Sequence, residues 1–101
     1  MNRRRQRRIL AVWEEILVAL LKAKSTELNQ TQIREMADLD PNSVVRGTMQ
    51  LERLGLIKTR FDGINRLYRL TPRGREVAEH VKAIKEIVEK SEFSELSLIH
   101  I

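Results

Sequence analysis

The sequence predicts a mostly helical α+β fold with a three-helix core, a two-stranded hairpin and a long C-terminal helix. Residues 40–55 begin with Asp-Pro and end with Gly, which are the cap, first-position and stop signals of one helix. Residues 56–61 and 64–70 carry mostly apolar or β-branched side chains at alternate positions on either side of Asp62-Gly63, which predicts two strands joined by a hairpin turn. Residues 71–90 begin with Thr-Pro and continue with apolar residues at helical spacing.

The length of 101 residues fits a single domain, with a basic arm (1–8), a core (9–71), a long helix (72–92) and an apolar tail (93–101). Nineteen Lys and Arg against fourteen Asp and Glu give a formal charge of +5. Residues 40–75 hold eight basic and three acidic residues, whereas residues 76–95 hold six Glu and three Lys. This uneven distribution favours a polyanionic partner at one end of the domain.

The N-terminal part combines a basic arm with a broadly apolar helix. Five Arg in residues 1–8 would oppose a helix dipole, so the arm either binds phosphate or the minor groove, or is simply solvated. Residues 9–24 carry apolar side chains over an arc of about 200°, which is wider than a one-sided helix of a small monomer requires. We therefore expect part of this helix to face a second subunit, and Trp13 to be buried.

A second helix follows a turn and a short strand at residues 27–28. Asn29 and Gln32 have the spacing of a capping box. Residues 38–40 make a tight turn into the third helix, so the two helices form a helix-turn-helix. The second helix is expected to bury Ile33, Met36 and Ala37.

The third helix, which starts at Pro41, has two different faces at 100° per residue. The core-facing stripe consists of Val44, Gly47, Thr48, Leu51 and Leu54. The opposite face carries amide and guanidinium groups, whose geometry matches guanine and adenine edges and phosphate oxygens. The residues assigned here to DNA binding are Asn42, Ser43, Val45, Arg46, Met49, Gln50 and Arg53. The alternative is an exposed basic helix without a ligand.

The predicted hairpin carries several positive charges, which stabilise so small an element little unless they bind an anion. Its basic residues are Lys58, Arg60, Arg66 and Arg69, with Asn65 near the turn. We expect Arg60 and Arg66 to reach backbone phosphates or the minor groove, and we include Lys58 and Asn65 in the same site. The alternative is a solvated hairpin.

The last helix has an apolar seam. Val77, Val81, Ile84 and Val88 are spaced four, three and four residues apart, as in a coiled coil. We expect these residues to form a dimer interface, while packing against the first helix of the same chain is a competing explanation that can hold as well. The tail 93–101 is too apolar for a solvated linker and is expected to pack on the body or on a partner.

No catalytic or metal-binding pattern is present in the sequence. It has no Cys, two His, no glycine-rich phosphate loop and no carboxylates at metal-ligand spacing. We therefore expect no enzyme activity, no cofactor and no metal. The lack of Cys and of an apolar run of about 20 residues favours a cytoplasmic protein with no membrane partner.

Three stretches of the sequence carry a family resemblance. Residues 40–57 read DPNSVVRGTMQLERLGLI, residues 65–75 read NRLYRLTPRGR, and residues 31–37 read TQIREMA. They resemble the recognition helix, the second wing strand and the second helix of winged helix-turn-helix regulators of the MarR and PadR type. The wing between Arg60 and Arg66 is shorter than the usual MarR wing and lacks its Asp-x-Arg spacing. The resemblance implies a winged helix-turn-helix fold with a C-terminal dimerisation helix.

The leading hypothesis is a homodimeric, sequence-specific double-stranded DNA-binding protein that regulates transcription. Base edges would be read by Asn42, Arg46 and Gln50, with Val45 or Met49 at thymine methyl groups. Phosphates would be bound mainly by Ser43, Arg53, Lys58, Arg60 and Arg66. The alternatives are a non-specific architectural DNA-binding protein and a winged helix that binds another protein. A small-molecule effector is compatible with the leading hypothesis, but nothing in the sequence indicates one.

Overall fold

The computed structural model describes residues 10–99, with side-chain positions for residues 10–90. The elements in chain order are α1 (Val12–Lys22), β1 (Leu28–Asn29), α2 (Gln30–Ala37), α3 (Pro41–Arg53), β2 (Ile57–Phe61), β3 (Arg66–Leu70) and α4 (Pro72–Ile99). The predicted fold class, α+β and mostly helical, is confirmed. The predicted basic arm 1–8 and the side chains of the tail 93–101 lie outside this description.

The helix α1 is the centre of the fold. Ile16 and Leu17 are fully buried, and α1 packs against α2, α3 and α4. These three helices of the same chain cover much of the wide apolar arc of α1, and the expected contact of α1 with a second subunit stays a prediction. Trp13 is partly buried against the core. The helix begins at Val12, where the Glu14 carboxylate accepts a hydrogen bond from the Ala11 N–H at 2.8 Å.

The three strands form an antiparallel sheet in the order β1-β3-β2. The middle strand pairs Tyr68 with Leu28 on β1 and with Thr59 on β2. Tyr68 and Leu28 are buried on the core face of the sheet. Since strand side chains alternate, Lys58 and Arg69, which are paired across β2 and β3, lie on the outer face.

The turn between β2 and β3 is longer than the Asp62-Gly63 pair predicts. One oxygen of the Asp62 carboxylate accepts hydrogen bonds from the N–H groups of Asn65 at 2.7 Å and Ile64 at 2.9 Å. These bonds, led by that of Asn65, hold the pKa of Asp62 below its usual value. They also order residues 62–65 as a four-residue turn, so β3 begins at Arg66 rather than at Ile64.

The caps of the helix-turn-helix agree with the sequence prediction, but two residues that the sequence predicts to be buried are exposed. Asn29 and Gln32 cap α2 reciprocally, with both hydrogen bonds at 2.8 Å. Met36 is 48% exposed, because the eight-residue α2 buries only the row of Ile33 and Ala37. Leu54 is 51% exposed, because it is the C-cap of α3, where the chain turns away from the helix axis.

The first turn of α4 is fixed to the start of the sheet. The Thr71 N–H donates to the Leu56 carbonyl at 3.0 Å, and the Thr71 hydroxyl donates to the Gly55 carbonyl at 2.8 Å. Gly74 lies so close to Leu56 that an added Cβ would overlap the Leu56 carbonyl group. Close packing is therefore present at Gly74, and it sets the angle at which α4 leaves the sheet.

The predicted seam of α4 is divided between the inside and the outside of the chain. Val77 and Val81 pack with Leu10 and Val18 against α1. Farther along the helix, Ile84 and Val88 are 54% and 37% exposed, and the neighbouring Ile87 is 62% exposed. The first half of the seam thus follows the competing explanation, in which α4 packs on α1, while the second half is uncovered. The helix continues to Ile99, past the expected end at residue 92.

Candidate nucleic-acid interface

The helix α3 is held against the core by its narrow apolar side. Val44, Gly47, Thr48 and Leu51 are buried, and the Thr48 hydroxyl donates to the Val44 carbonyl at 2.8 Å. Gly47 permits α1 to approach closely, since an added Cβ there would lie 2.5 Å from Cδ1 of Ile16. This packing fixes the rotation of α3 about its axis, and so determines which of its side chains point outward.

The outward side of α3 is the surface we call the recognition face. Its members are Asn42, Val45, Arg46, Met49, Gln50 and Arg53, all of them exposed. None of the four polar side chains has a hydrogen bond or ion pair to another residue in the described part of the chain. Spacings of four, four and three residues place Asn42, Arg46, Gln50 and Arg53 along about 17 Å of helix at a rise of 1.5 Å per residue. The recognition face therefore presents a row of hydrogen-bond donors and acceptors that have no partner among the described residues.

Ser43, which is predicted from the sequence to bind phosphate, already forms hydrogen bonds with Asp40, the N-cap of α3. It is half-buried, and its hydroxyl donates to one Asp40 oxygen at 2.6 Å while its N–H donates to the other at 3.2 Å. The Ser43 hydroxyl, and then its N–H, hold the pKa of Asp40 below the usual value. A phosphate would have to compete with Asp40 for this hydroxyl.

The wing, residues 57–70, presents its basic residues unequally. The Arg60 guanidinium binds the Glu27 carboxylate through two hydrogen bonds of 2.7 and 2.8 Å. The hydrogen bond from Arg60 holds the pKa of Glu27 below its usual value. Lys58, Asn65 and Arg66 are exposed, and their side chains have no partner among the residues that the structure describes. Arg66 is thus more accessible to an anion than Arg60.

Two features of the wing were not found in the sequence. Glu27, which holds Arg60, lies 33 residues earlier in the chain, and no local pattern signals this pairing. Ile64, at the turn, is 84% exposed, and Phe61 is 65% exposed. The position of Ile64 directly after Asp62-Gly63 is the sequence signal for its exposure, because turn residues lie on the protein surface.

The described residues contain no group of three or more His, Cys, Asp or Glu side chains that could hold a metal ion. His80 is exposed on α4. No helix in the described part of the chain is long and apolar enough to span a membrane.

Comparison with known proteins gives similarity at the level of structure. No protein-family model and no curated protein matches the sequence. Sso10a-2, a DNA-binding protein from Sulfolobus solfataricus, superposes with a TM-score of 0.71 at 16% identity, over 84% of this chain and 90% of that one. MepR, a transcription regulator of the Staphylococcus aureus multidrug efflux pump MepA, superposes with a TM-score of 0.69 at 23% identity, over 89% of this chain and 67% of that one.

A MarR-family transcriptional regulator from Silicibacter pomeroyi DSS-3 gives a TM-score of 0.66 at 26% identity, over 93% of this chain and 66% of that regulator. The chain thus spans nearly all of the Sulfolobus protein but about two thirds of the two regulators. These similar structures are described as DNA-binding or regulatory proteins. The chain has the winged-helix fold of MarR-type transcription regulators.

Proposed function

We propose that this protein binds double-stranded DNA in a sequence-specific manner as a homodimeric transcription regulator. The observation that carries the proposal is the recognition face, where Asn42, Arg46 and Gln50 are exposed and unpaired on a helix whose rotation is fixed by its buried side. An α-helix fits the major groove, where Arg recognises guanine and Asn or Gln recognises adenine. The likeness to DNA-binding regulators supports the same function.

The roles within the site follow from accessibility. Asn42, Arg46 and Gln50 contact base edges, and the exposed apolar side chains of Val45 and Met49 contact thymine methyl groups. Phosphates are bound mainly by Arg53, Lys58, Asn65 and Arg66, with smaller contributions from Ser43 and Arg60, which already have partners within the protein.

Selection of bound duplexes from a random pool, followed by affinity measurements on the selected and on random sequences, tests sequence specificity. A regulator is expected to prefer its selected site by about a thousandfold or more at physiological salt. Comparable affinity for all duplexes would contradict the proposal. It would favour the alternative, a non-specific architectural DNA-binding protein.

The substitution Arg66→Ala is expected to weaken binding to every duplex alike and to lower the slope of log K against log salt by about 1, because one phosphate contact is lost. Arg60→Ala is the matched comparison, and its effect should be smaller because Glu27 already neutralises Arg60. Fluorescence anisotropy at several salt concentrations measures both. A larger effect for Arg60→Ala than for Arg66→Ala would contradict this assignment.

The uncovered half of the α4 seam supports the dimer. Ile84, Ile87 and Val88 form an exposed apolar strip beyond the part of α4 that packs on α1. A second copy covering this strip would hold two recognition faces in fixed relation, as needed to enter successive major grooves about 34 Å apart.

The double substitution Ile84→Gln/Ile87→Gln is expected to shift the protein from dimer to monomer in sedimentation equilibrium, because it removes apolar area from the strip. The control is Glu79→Gln/Glu86→Gln, which introduces the same side chain at exposed positions on another side of α4. The control should remain dimeric. A wild-type protein that stays monomeric at concentrations of about 0.1 mM, well above a micromolar Kd, would disprove the dimer.

A further inference from the structure

A cavity of about 320 Å³ lies away from the recognition face, at the base of the wing. It opens where the end of α1, the loop to β1, the end of β3 and the first turn of α4 meet. Its polar lining consists of Lys24, Ser25, Thr26, Arg69 and Arg75, and the rest of the lining is apolar apart from backbone groups. Among the residues that the structure describes, no acidic side chain lines it.

The three cations come from three separate parts of the fold. Lys24 follows α1, Arg69 lies on β3 and Arg75 lies in the first turn of α4. Within the described residues, none of the three side chains has a hydrogen bond or an ion pair. Arg69 contributes to lowering the pKa of Glu27, but both Glu27 oxygens are already bonded to Arg60. The positive charge of the cavity is thus largely uncompensated.

The surroundings of the cavity favour an anion further. The first turn of α4 has no acidic residue, although acids are favoured at that end of a helix. Ser25 shapes the loop, because its hydroxyl donates to the Glu27 carbonyl at 2.9 Å. The Thr26 hydroxyl is exposed and has no partner among the described residues, so it can donate to a ligand.

We propose that this cavity binds a small oxyanion with more than one negative charge, held by Lys24, Arg69 and Arg75 and oriented by the Thr26 hydroxyl. Arginine side chains bind phosphate and carboxylate groups through paired N–H donors, and the volume suits a small molecule. The ligand would join the base of the wing to α4, so its binding stabilises the folded protein.

The source of the oxyanion is a free small molecule rather than the DNA backbone. Arg69 lies near the end of β3 opposite the turn 62–65, roughly 13 Å along the strand at 3.3 Å per residue. The cavity is therefore distant from the turn. Of its polar lining residues only Arg69, which is paired with Lys58, lies on the wing, and the others lie outside both the wing and α3. This step rests on the proposed function, whereas the anion binding itself does not.

Calorimetric titration and thermal unfolding with inorganic pyrophosphate and with citrate, against sodium chloride at equal ionic strength, test the proposal without DNA. We expect a saturable rise in Tm for the wild type. Arg75→Gln and Arg69→Gln should each weaken binding about tenfold or more, which is the loss expected for one charge-assisted contact. Arg73→Gln is the matched control, because Arg73 is exposed in the same turn of α4 and does not line the cavity. It should bind like the wild type.

Two results would overturn the proposal. One is the absence of saturable pyrophosphate and citrate binding to the wild type; if Arg75→Gln then selectively lost DNA affinity, the cavity would be a contact for a DNA phosphate. The other is an equal loss of binding in Arg73→Gln and Arg75→Gln, which would indicate general attraction to a basic surface. Pyrophosphate binding that persists in a protein without sequence preference would leave the cavity site intact and disprove only the proposed function.

Discussion

Gly74→Ala is expected to lower the free energy of unfolding by about 3 kcal/mol or more, because overpacking against a fixed neighbour has no inexpensive relief. The added Cβ would overlap the Leu56 carbonyl, which is held in place by its hydrogen bond from the Thr71 N–H at 3.0 Å. The start of α4 would have to move off the sheet. Urea denaturation monitored by circular dichroism, with both proteins at the same concentration, measures this decrease in the free energy of unfolding.

Gly47→Ala is the control for this substitution. Its added Cβ would meet Cδ1 of Ile16 at 2.5 Å, but that atom is the end of a flexible side chain and can shift. Alanine also has a helix propensity better than glycine by about 1 kcal/mol, which offsets part of the crowding. We expect a change smaller than that of Gly74→Ala. Equal losses for the two variants would show that the Leu56 carbonyl does not constrain α4.

Arg46→Ala is expected to weaken binding to the preferred site by about 1 to 3 kcal/mol and to reduce the preference over random DNA. Arg46 lies in the middle of the recognition face, is exposed and has no partner within the described residues, so its guanidinium is available to a base edge. Competition binding with the selected and a random duplex measures both quantities. The circular dichroism spectrum and Tm should stay close to those of the wild type.

Arg73→Ala, which removes the same charge from an exposed position on α4, is the control for Arg46→Ala. It should leave the preference between selected and random duplexes unchanged. If Arg46→Ala weakened both duplexes by the same factor, Arg46 would be a phosphate contact and not a reader of sequence.

The features that the sequence predicts best are those governed by neighbours in the chain. The Asp40 cap and Pro41 start of α3, and the capping box of Asn29 and Gln32, involve residues at most three positions apart. Because both partners of each hydrogen bond lie within one helical turn, the local sequence is enough to indicate them. Gly55 likewise has the positive φ of 75° that its place after a helix predicts.

The features that the sequence did not predict depend on contacts between distant segments. The pairing of Arg60 with Glu27 requires β1 and β2 to flank β3 in one register, which local patterns do not specify. The covering of the α1 apolar arc is another example, since periodicity cannot tell how many helices of the same chain pack against it. For the same reason, the spacing of the α4 seam did not separate Val81, which is buried on α1, from Ile84, which is exposed.

The candidate site falls between these two cases. Helical periodicity indicates which residues share the face of α3 with Arg46, and the structure places them in the exposed set. Periodicity could not indicate that Ser43 is already bonded to Asp40, or that the wing residue Arg60 is neutralised, because both depend on side-chain geometry. Their contributions to DNA binding stay predictions.

The central claim is that the recognition face of α3 lies in the major groove, and methylation protection on the selected duplex tests it most directly. Dimethyl sulfate attacks guanine N7 in the major groove and adenine N3 in the minor groove, so it reports the two grooves separately. We expect the bound protein to protect guanine N7 in two patches centred about one helical turn apart, and Arg46→Ala to restore reactivity at one guanine in each patch. Bound DNA in which guanine N7 stays fully reactive while adenine N3 is protected would contradict the claim.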